Sequence, residues 1–327
     1  MRGPMFTLAE LESVIPVVRA SVLPTPQYAW PLLRVRTGVD LIVKHENHTP
    51  IGAFKVRGGL VHLDRAKRER PQLQGIISAT RGNHGQSLAF AGERVGLSVT
   101  IVVPHGNSAE KNAAMRALGA ELIEHGRDFD EAREHAVDLA TDRGLEFVPS
   151  FHRDFVLGVA TYAYELFTSV ELLDTVYVPI GLGSGICGLI GARTLLSPRT
   201  RIVGVVAERA NAYKLSLATG AIVRTNSALT FADGMAVRVP DATAFDMIRG
   251  GAERIVEVSD DEIADAIRIL FSATHNCAEG AGAASLAALI KERERFQGRR
   301  VAVILSGQNI DRPWMATVLS GATPRLT

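Results

Sequence analysis

Lys55 stands in the run Lys44-His-Glu-Asn-His-Thr-Pro-Ile-Gly-Ala-Phe-Lys55-Val-Arg-Gly-Gly59, where a glycine-flanked turn can present its amine to a carbonyl compound. Elsewhere a loop lysine is a solvated charge, so its chemistry depends on what accompanies it. Three further segments qualify. Ser78-Ala-Thr-Arg-Gly-Asn-His-Gly-Gln86 leaves a candidate strand and enters a helix, which makes Asn83 either a helix cap or a ligand-facing amide. Gly181-Leu-Gly-Ser-Gly-Ile-Cys-Gly188 also joins a strand to a helix, where unobstructed backbone amides can face an anion. Within it, Gly183-Ser-Gly-Ile-Cys-Gly188 matches G-x-G-x-x-G, and Glu208 ends the following strand, as in a nicotinamide-dinucleotide site. On this segment alone the two readings stand level. Ser306, after the run 301–305, either closes a buried strand or offers a hydroxyl to a ligand.

Taken together and in this order, these segments resemble the pyridoxal-phosphate enzymes of the tryptophan synthase β-like class, and within it the serine/threonine dehydratase family. The resemblance runs from about Pro24 to Asp311. It separates the readings, because a nicotinamide enzyme has no use for the Gly-Ala-Phe-Lys turn or the Arg-Gly-Asn-His loop. It implies pyridoxal 5'-phosphate held as a Schiff base by Lys55, with Phe54 over one face and Asn83 at the phenolic oxygen. Gly181, Leu182, Gly183, Ser184 and Gly185 would cradle the phosphate, and Ser306 would meet the pyridine nitrogen. Thr80, Arg81, Gly82 and His84 are implied on the side of the substrate carboxylate. A hydroxyl cannot keep a proton on the ring nitrogen as a carboxylate would, so elimination is favoured over transamination.

The implied activity is dehydration and deamination of a 3-hydroxy amino acid such as L-threonine or L-serine to a 2-keto acid and ammonia. Alternatives are a dehydratase for phenylserine or 3-hydroxyaspartate, a hydroxyectoine-breakdown enzyme, a serine racemase, an NAD-binding oxidoreductase, and a silent ligand-binding protein. Arg81 takes the place of the serine by which racemases act on the second face of the α-carbon, and arginine does not readily release a proton. Racemisation is therefore expected to be slow or absent. Arg81 itself either reaches into the cleft or pairs with a surface carboxylate. Metal-stimulated relatives use a glutamate, a carbonyl four residues on and an aspartate six residues on, where this chain has Glu208, Ala212 and Lys214. No divalent ion is expected here, with a Lys214–Glu208 ion pair in its place. Glu279 either faces the cofactor or serves as a charge at a helix start.

Short β-branched runs alternate with amphipathic stretches, which calls for an α/β fold of parallel strands joined by helices. Candidate strands cover 41–44, 75–80, 99–104, 121–124, 146–149, 175–180, 202–207 and 301–305. Asp128 with Glu131 opens one helix, and Ser259-Asp-Asp-Glu262 is a capping box opening another over 263–271. The resemblance implies the two-lobed tryptophan synthase β-like architecture, each lobe a mainly parallel sheet flanked by helices. Its large cofactor-binding lobe would take residues 1–71 and 151–327, and its small substrate-side lobe residues 72–150.

The 327 residues are 46% hydrophobic and 22% charged, with 36 Lys+Arg against 35 Asp+Glu and a formal charge of +1, which offers no broad basic field to nucleic acid or an acidic membrane. Cys187 and Cys277 make no disulfide framework, and neither C-x-x-C nor a His-rich tract marks zinc. No signal peptide or apolar span is seen, so a cytoplasmic chain acting on a small amino acid is expected, as a homodimer by family resemblance. With no regulatory domain after Thr327, a catabolic or single-domain form is expected.

Overall fold

A computed structural model describes residues 5–326. Among the described residues, ten strands divide between two sheets. β1 (Gln27–Tyr28), β2 (Asp40–His45), β7 (Leu173–Pro179), β8 (Arg201–Ala207), β9 (Arg254–Val258) and β10 (Arg300–Leu305) form one, in the order β1-β2-β10-β7-β8-β9. All its pairs are parallel except β1 with β2. β3 (Gly75–Ala79), β4 (Ser98–Val103), β5 (Glu121–Glu124) and β6 (Glu146–Phe147) form a wholly parallel sheet in the order β5-β4-β3-β6. The α/β expectation holds. β1 and β9 were not expected from sequence; both are edge strands, and β9 opens on Arg254 and carries Glu257 between Val256 and Val258.

The large sheet is covered on both faces, so its central strands read as continuous apolar runs. Alternation is still visible in where the side chains go. Ile42, Ala302 and Ile304 enter one core, whereas Leu41, Val43, Val301, Val303 and Leu305 enter the other. The first core continues into the small sheet through Ile76, Val99, Ile101 and Val103. The helices Lys55–Glu69 and Asn83–Val95 lie within that shared core, contributing Leu60, Leu63, Leu88 and Phe90. They pack closely: a Cβ on Gly59 would fall 2.3 Å from Ser87 Oγ.

The capping signals hold. Asp128 accepts from the amides of Asp130 and Glu131 to open Phe129–Arg143, and Ser259 with Glu262 forms a complete capping box for Asp260–Thr274. No helix among the described residues is long and apolar enough to cross a membrane.

Candidate active site

Parallel strands bring their carboxyl ends to one edge, and the loops leaving three neighbours there carry the reactive groups. β2 and β10 pair in register up to His45 opposite Leu305. Beyond that point Ala53 bridges Gly307, and the Phe54 amide donates to the Ser306 carbonyl at 3.0 Å. Lys55, first residue of its helix, is thereby fixed beside Ser306. β7, on the other side of β10, delivers the glycine loop and the Ser184–Leu196 helix. Lys55 Nζ donates to Ser184 Oγ at 3.2 Å and lies 5.3 Å from the centroid of the Phe54 ring. That ring meets Tyr162 edge-on at 6.3 Å, and the Tyr162 hydroxyl donates to the Gly185 carbonyl. Burial lowers the Lys55 amine to about 8, with the charge of Glu279 resisting the shift.

The glycine loop has no room for side chains. Gly183 holds φ of 111°, and a Cβ there would fall 2.6 Å from Ala244 Cβ; one on Gly181 would fall 2.4 Å from the Gly234 carbonyl oxygen. Tyr213 fixes the loop by donating to the Leu182 carbonyl at 2.8 Å. The helix that follows has no side-chain cap, so its first amides are available to an anion. It begins at Ser184.

Asn83 does not cap its helix; Gly82 is the N-cap residue. Its Nδ2 donates to Glu279 Oε1 at 2.8 Å, and its Oδ1 accepts from Asn309 Nδ2 at 2.8 Å. Asn309 also donates to the Ile51 carbonyl, tying the asparagine to the loop before Lys55. Glu279 is both a charge at a helix start, capping Gly280–Glu292 by position, and a member of this cluster. Burial raises its carboxyl to about 7, Lys111 opposing at 4.0 Å and Asp233 assisting. Lys111 is ion-paired with Asp233. Lys111, Asp233 and Asn309 were not assigned from sequence. Asn309 lies three residues past Ser306, and nothing local marks a lysine in the Ala109–Ala117 helix or an aspartate in a loop.

The substrate-side residues separate. Thr80 is buried and its hydroxyl accepts from the Gly82 amide at 3.2 Å. Gly82 lies against Lys111, whose Cδ would be 2.7 Å from an added Cβ. His84 is buried edge-on to Phe155 at 5.0 Å, and burial, with Lys55 and His62, lowers it to about 3. It is therefore neutral and supplies no positive charge to a carboxylate. Arg81 is exposed, with no hydrogen-bond or ion-pair partner among the described residues, so of its two alternatives the pairing with a surface carboxylate is absent. The expected Lys214–Glu208 pair is also corrected: Lys214 Nζ binds Glu257 at 2.6 Å, Asn211 binds the other oxygen at 2.8 Å, and Glu208 is exposed.

These residues fit a group that carries both a carbonyl and a phosphate. The amine is buried and depressed, the glycine loop leaves backbone amides at a helix start, and Glu279 Oε2 and His84 Nε2 are buried without hydrogen-bond partners among the described residues.

Comparison with known proteins agrees. The family described as "Pyridoxal-phosphate dependent enzyme" matches residues 18–307. An L-threonine ammonia-lyase of Thermotoga maritima is 33% identical over 94% of this chain and 76% of that protein. An L-threo-3-hydroxyaspartate ammonia-lyase of Saccharomyces cerevisiae is 32% identical over 93% of both. The processed form of threonine deaminase isoform 2 from Solanum lycopersicum superposes with a TM-score of 0.88 at 29% identity, over 97% of this chain and 95% of that one. The dinucleotide reading of the glycine loop is thereby set aside, and the chain belongs to the pyridoxal-phosphate-dependent enzymes, with the two-sheet fold of that family.

Proposed function

We propose that this enzyme eliminates the β-hydroxyl of a 3-hydroxy amino acid, such as L-threonine or L-serine, and releases a 2-keto acid and ammonia. The observation that carries the reading is the Lys55 amine, lowered to about 8 and hydrogen-bonded to Ser184 at the start of the glycine-loop helix. The threonine and 3-hydroxyaspartate ammonia-lyases among its relatives support the reaction class.

Bound pyridoxal phosphate supplies an electron sink for charge developing at the substrate α-carbon. Gly181, Leu182, Gly183, Ser184 and Gly185 would hold its phosphate, Asn83 its phenolic oxygen and Ser306 its ring nitrogen. Lys55 Nζ, poised near neutral pH, would take the α-proton of the substrate. Phe54, edge-on to Tyr162, would cover one face and exclude water. Ser306 offers a hydroxyl where a carboxylate would stabilise the charge longer, which favours prompt loss of the β-hydroxyl. Thr80, Gly82 and the amides of their loop would take the substrate carboxylate; His84, buried and neutral, supports that loop against Phe155. Arg81 is left to reach toward the substrate.

The reading places the site between a large lobe, residues 1–71 and 151–327, and a small lobe, residues 72–150, supported by the strands that each sheet draws from those spans. It takes the enzyme as a cytoplasmic protein and as a homodimer, the pairing supported by the exposed Tyr28, Leu32 and Val35 around edge strand β1. Light scattering tests that assembly. The activity is tested by a screen of β-hydroxy amino acids for keto acid release. Turnover of one or more with loss in Lys55→Ala, and borohydride fixation of the cofactor to the Lys55 peptide, is the expected result. Fixation to another lysine, or racemisation without keto acid, would overturn the assignment.

A further inference from the structure

His62, His152 and Asp154, none of them assigned to the cofactor, converge with one donor atom from each lying within 4.8 Å of the others. His62 is two turns beyond Lys55 on the lysine helix, and His152 and Asp154 sit at the start of Arg153–Ser169. Asp154 Oδ2 is the centre of the group, 3.5 Å from His62 Nδ1 and 3.4 Å from His152 Nδ1. A tetrahedral ion with bonds of about 2.0–2.1 Å spaces its ligand atoms about 3.3 Å apart, which those separations match.

Two features call for a positive centre. His62 is only 6% exposed, and neither of its ring nitrogens has a hydrogen-bond partner among the described residues. His152 Nδ1 accepts from the Asp154 amide at 3.2 Å, which holds its ring beside the carboxylate. Arg65 binds the opposite oxygen, Oδ1, which orients the carboxylate and leaves Oδ2 to the cluster. The His152 side chain, 43% exposed, gives an ion access from solvent.

We propose that His62, His152 and Asp154 form a site for a divalent transition ion of the zinc class, with a fourth position open to water. Two imidazoles and one carboxylate suit zinc or cobalt better than magnesium or calcium, which prefer oxygen alone. The ion clamps the lysine helix to the start of the Arg153–Ser169 helix. Phe155, next in sequence, lies against His62 at 4.6 Å and His84 at 5.0 Å, so the clamp also reaches the asparagine loop.

The test uses tag-free holoenzyme stripped of metal and titrated with Co²⁺, following d–d bands at longer wavelength than the cofactor and their loss on adding Zn²⁺. A saturable band, with Zn²⁺ raising the unfolding midpoint, is expected. His62→Leu and His152→Ala should each weaken binding by about tenfold or more, while Glu208→Gln leaves it unchanged. The His152 side chain is 43% exposed, so its variant leaves the core intact. Absence of a saturable band, retention of the band in both histidine variants, or its loss in Glu208→Gln would each overturn the site.

Discussion

Replacing Arg57 with methionine tests how the position of Lys55 is maintained. Arg57 is two residues beyond the lysine, fully buried, and its guanidinium spans two carboxylates. It donates to Glu46 at 2.8 and 3.0 Å and to Glu165 at 2.7 and 3.0 Å. Methionine keeps an apolar stem but leaves Glu46, wholly buried, with the Thr25 hydroxyl at 2.6 Å, whereas Glu165 keeps Lys44 at 2.6 Å. Breaking a buried pair in this way costs about 3–5 kcal/mol. The variant can instead protonate the stranded glutamate, and against an ordinary glutamate pKa of about 4.3 that costs about 3.7 kcal/mol at pH 7. The folded variant then binds a proton that its unfolded chain does not, so its deficit grows as pH rises above about 4.3 and shrinks as pH falls. At pH 5.5 the protonation cost is about 1.6 kcal/mol, so the deficit should narrow by about 2 kcal/mol. Urea unfolding of parent and variant holoenzymes at both pH values measures it. Equal deficits, or a loss below about 1 kcal/mol at pH 7, would refute the account.

Three other perturbations address the site. Ser306→Asp should suppress elimination and let transamination products appear, measured as keto acid against aminated cofactor; faster elimination contradicts the account of the ring nitrogen. Glu279→Gln removes the charge that resists the lowering of the Lys55 amine, so the midpoint for pyridoxal-phosphate uptake by the cofactor-free chain should move below about 8. A midpoint that stays or rises counts against that coupling. Arg81→Ala should reorder threonine, serine, 3-hydroxyaspartate and phenylserine by kcat/KM, a lost charge-assisted contact being worth about 1.5–3 kcal/mol. A uniform fall places Arg81 on the α-carboxylate, and unchanged rates remove it from the cleft.

What could be read in the sequence depended on whether a residue's task is local. The Gly-Ala-Phe-Lys turn, the glycine loop and the helix caps each act within a few residues, and the structure places them at a strand end or a helix start. Asn83 was misleading in one respect: its helix-cap role follows from local propensity, yet its amide is taken by Glu279 and Asn309, each about 200 residues away in sequence. The same limit hid the charged groups. Lys44, Glu46, Arg57 and Glu165 read individually as solvated charges, but together they neutralise one another beneath the lysine helix. Lys214 shows why counting along one motif is insufficient, since the carboxylate that claims its ammonium lies on β9, a strand whose charged residues concealed it. His62 and His152, 90 positions apart, share no motif, and only the packing of two helices brings both to one carboxylate. Residues that act through long-range charge compensation therefore carry no local signal, and the strongest tests of this site are double perturbations across such pairs, beginning with Arg57 and Glu46.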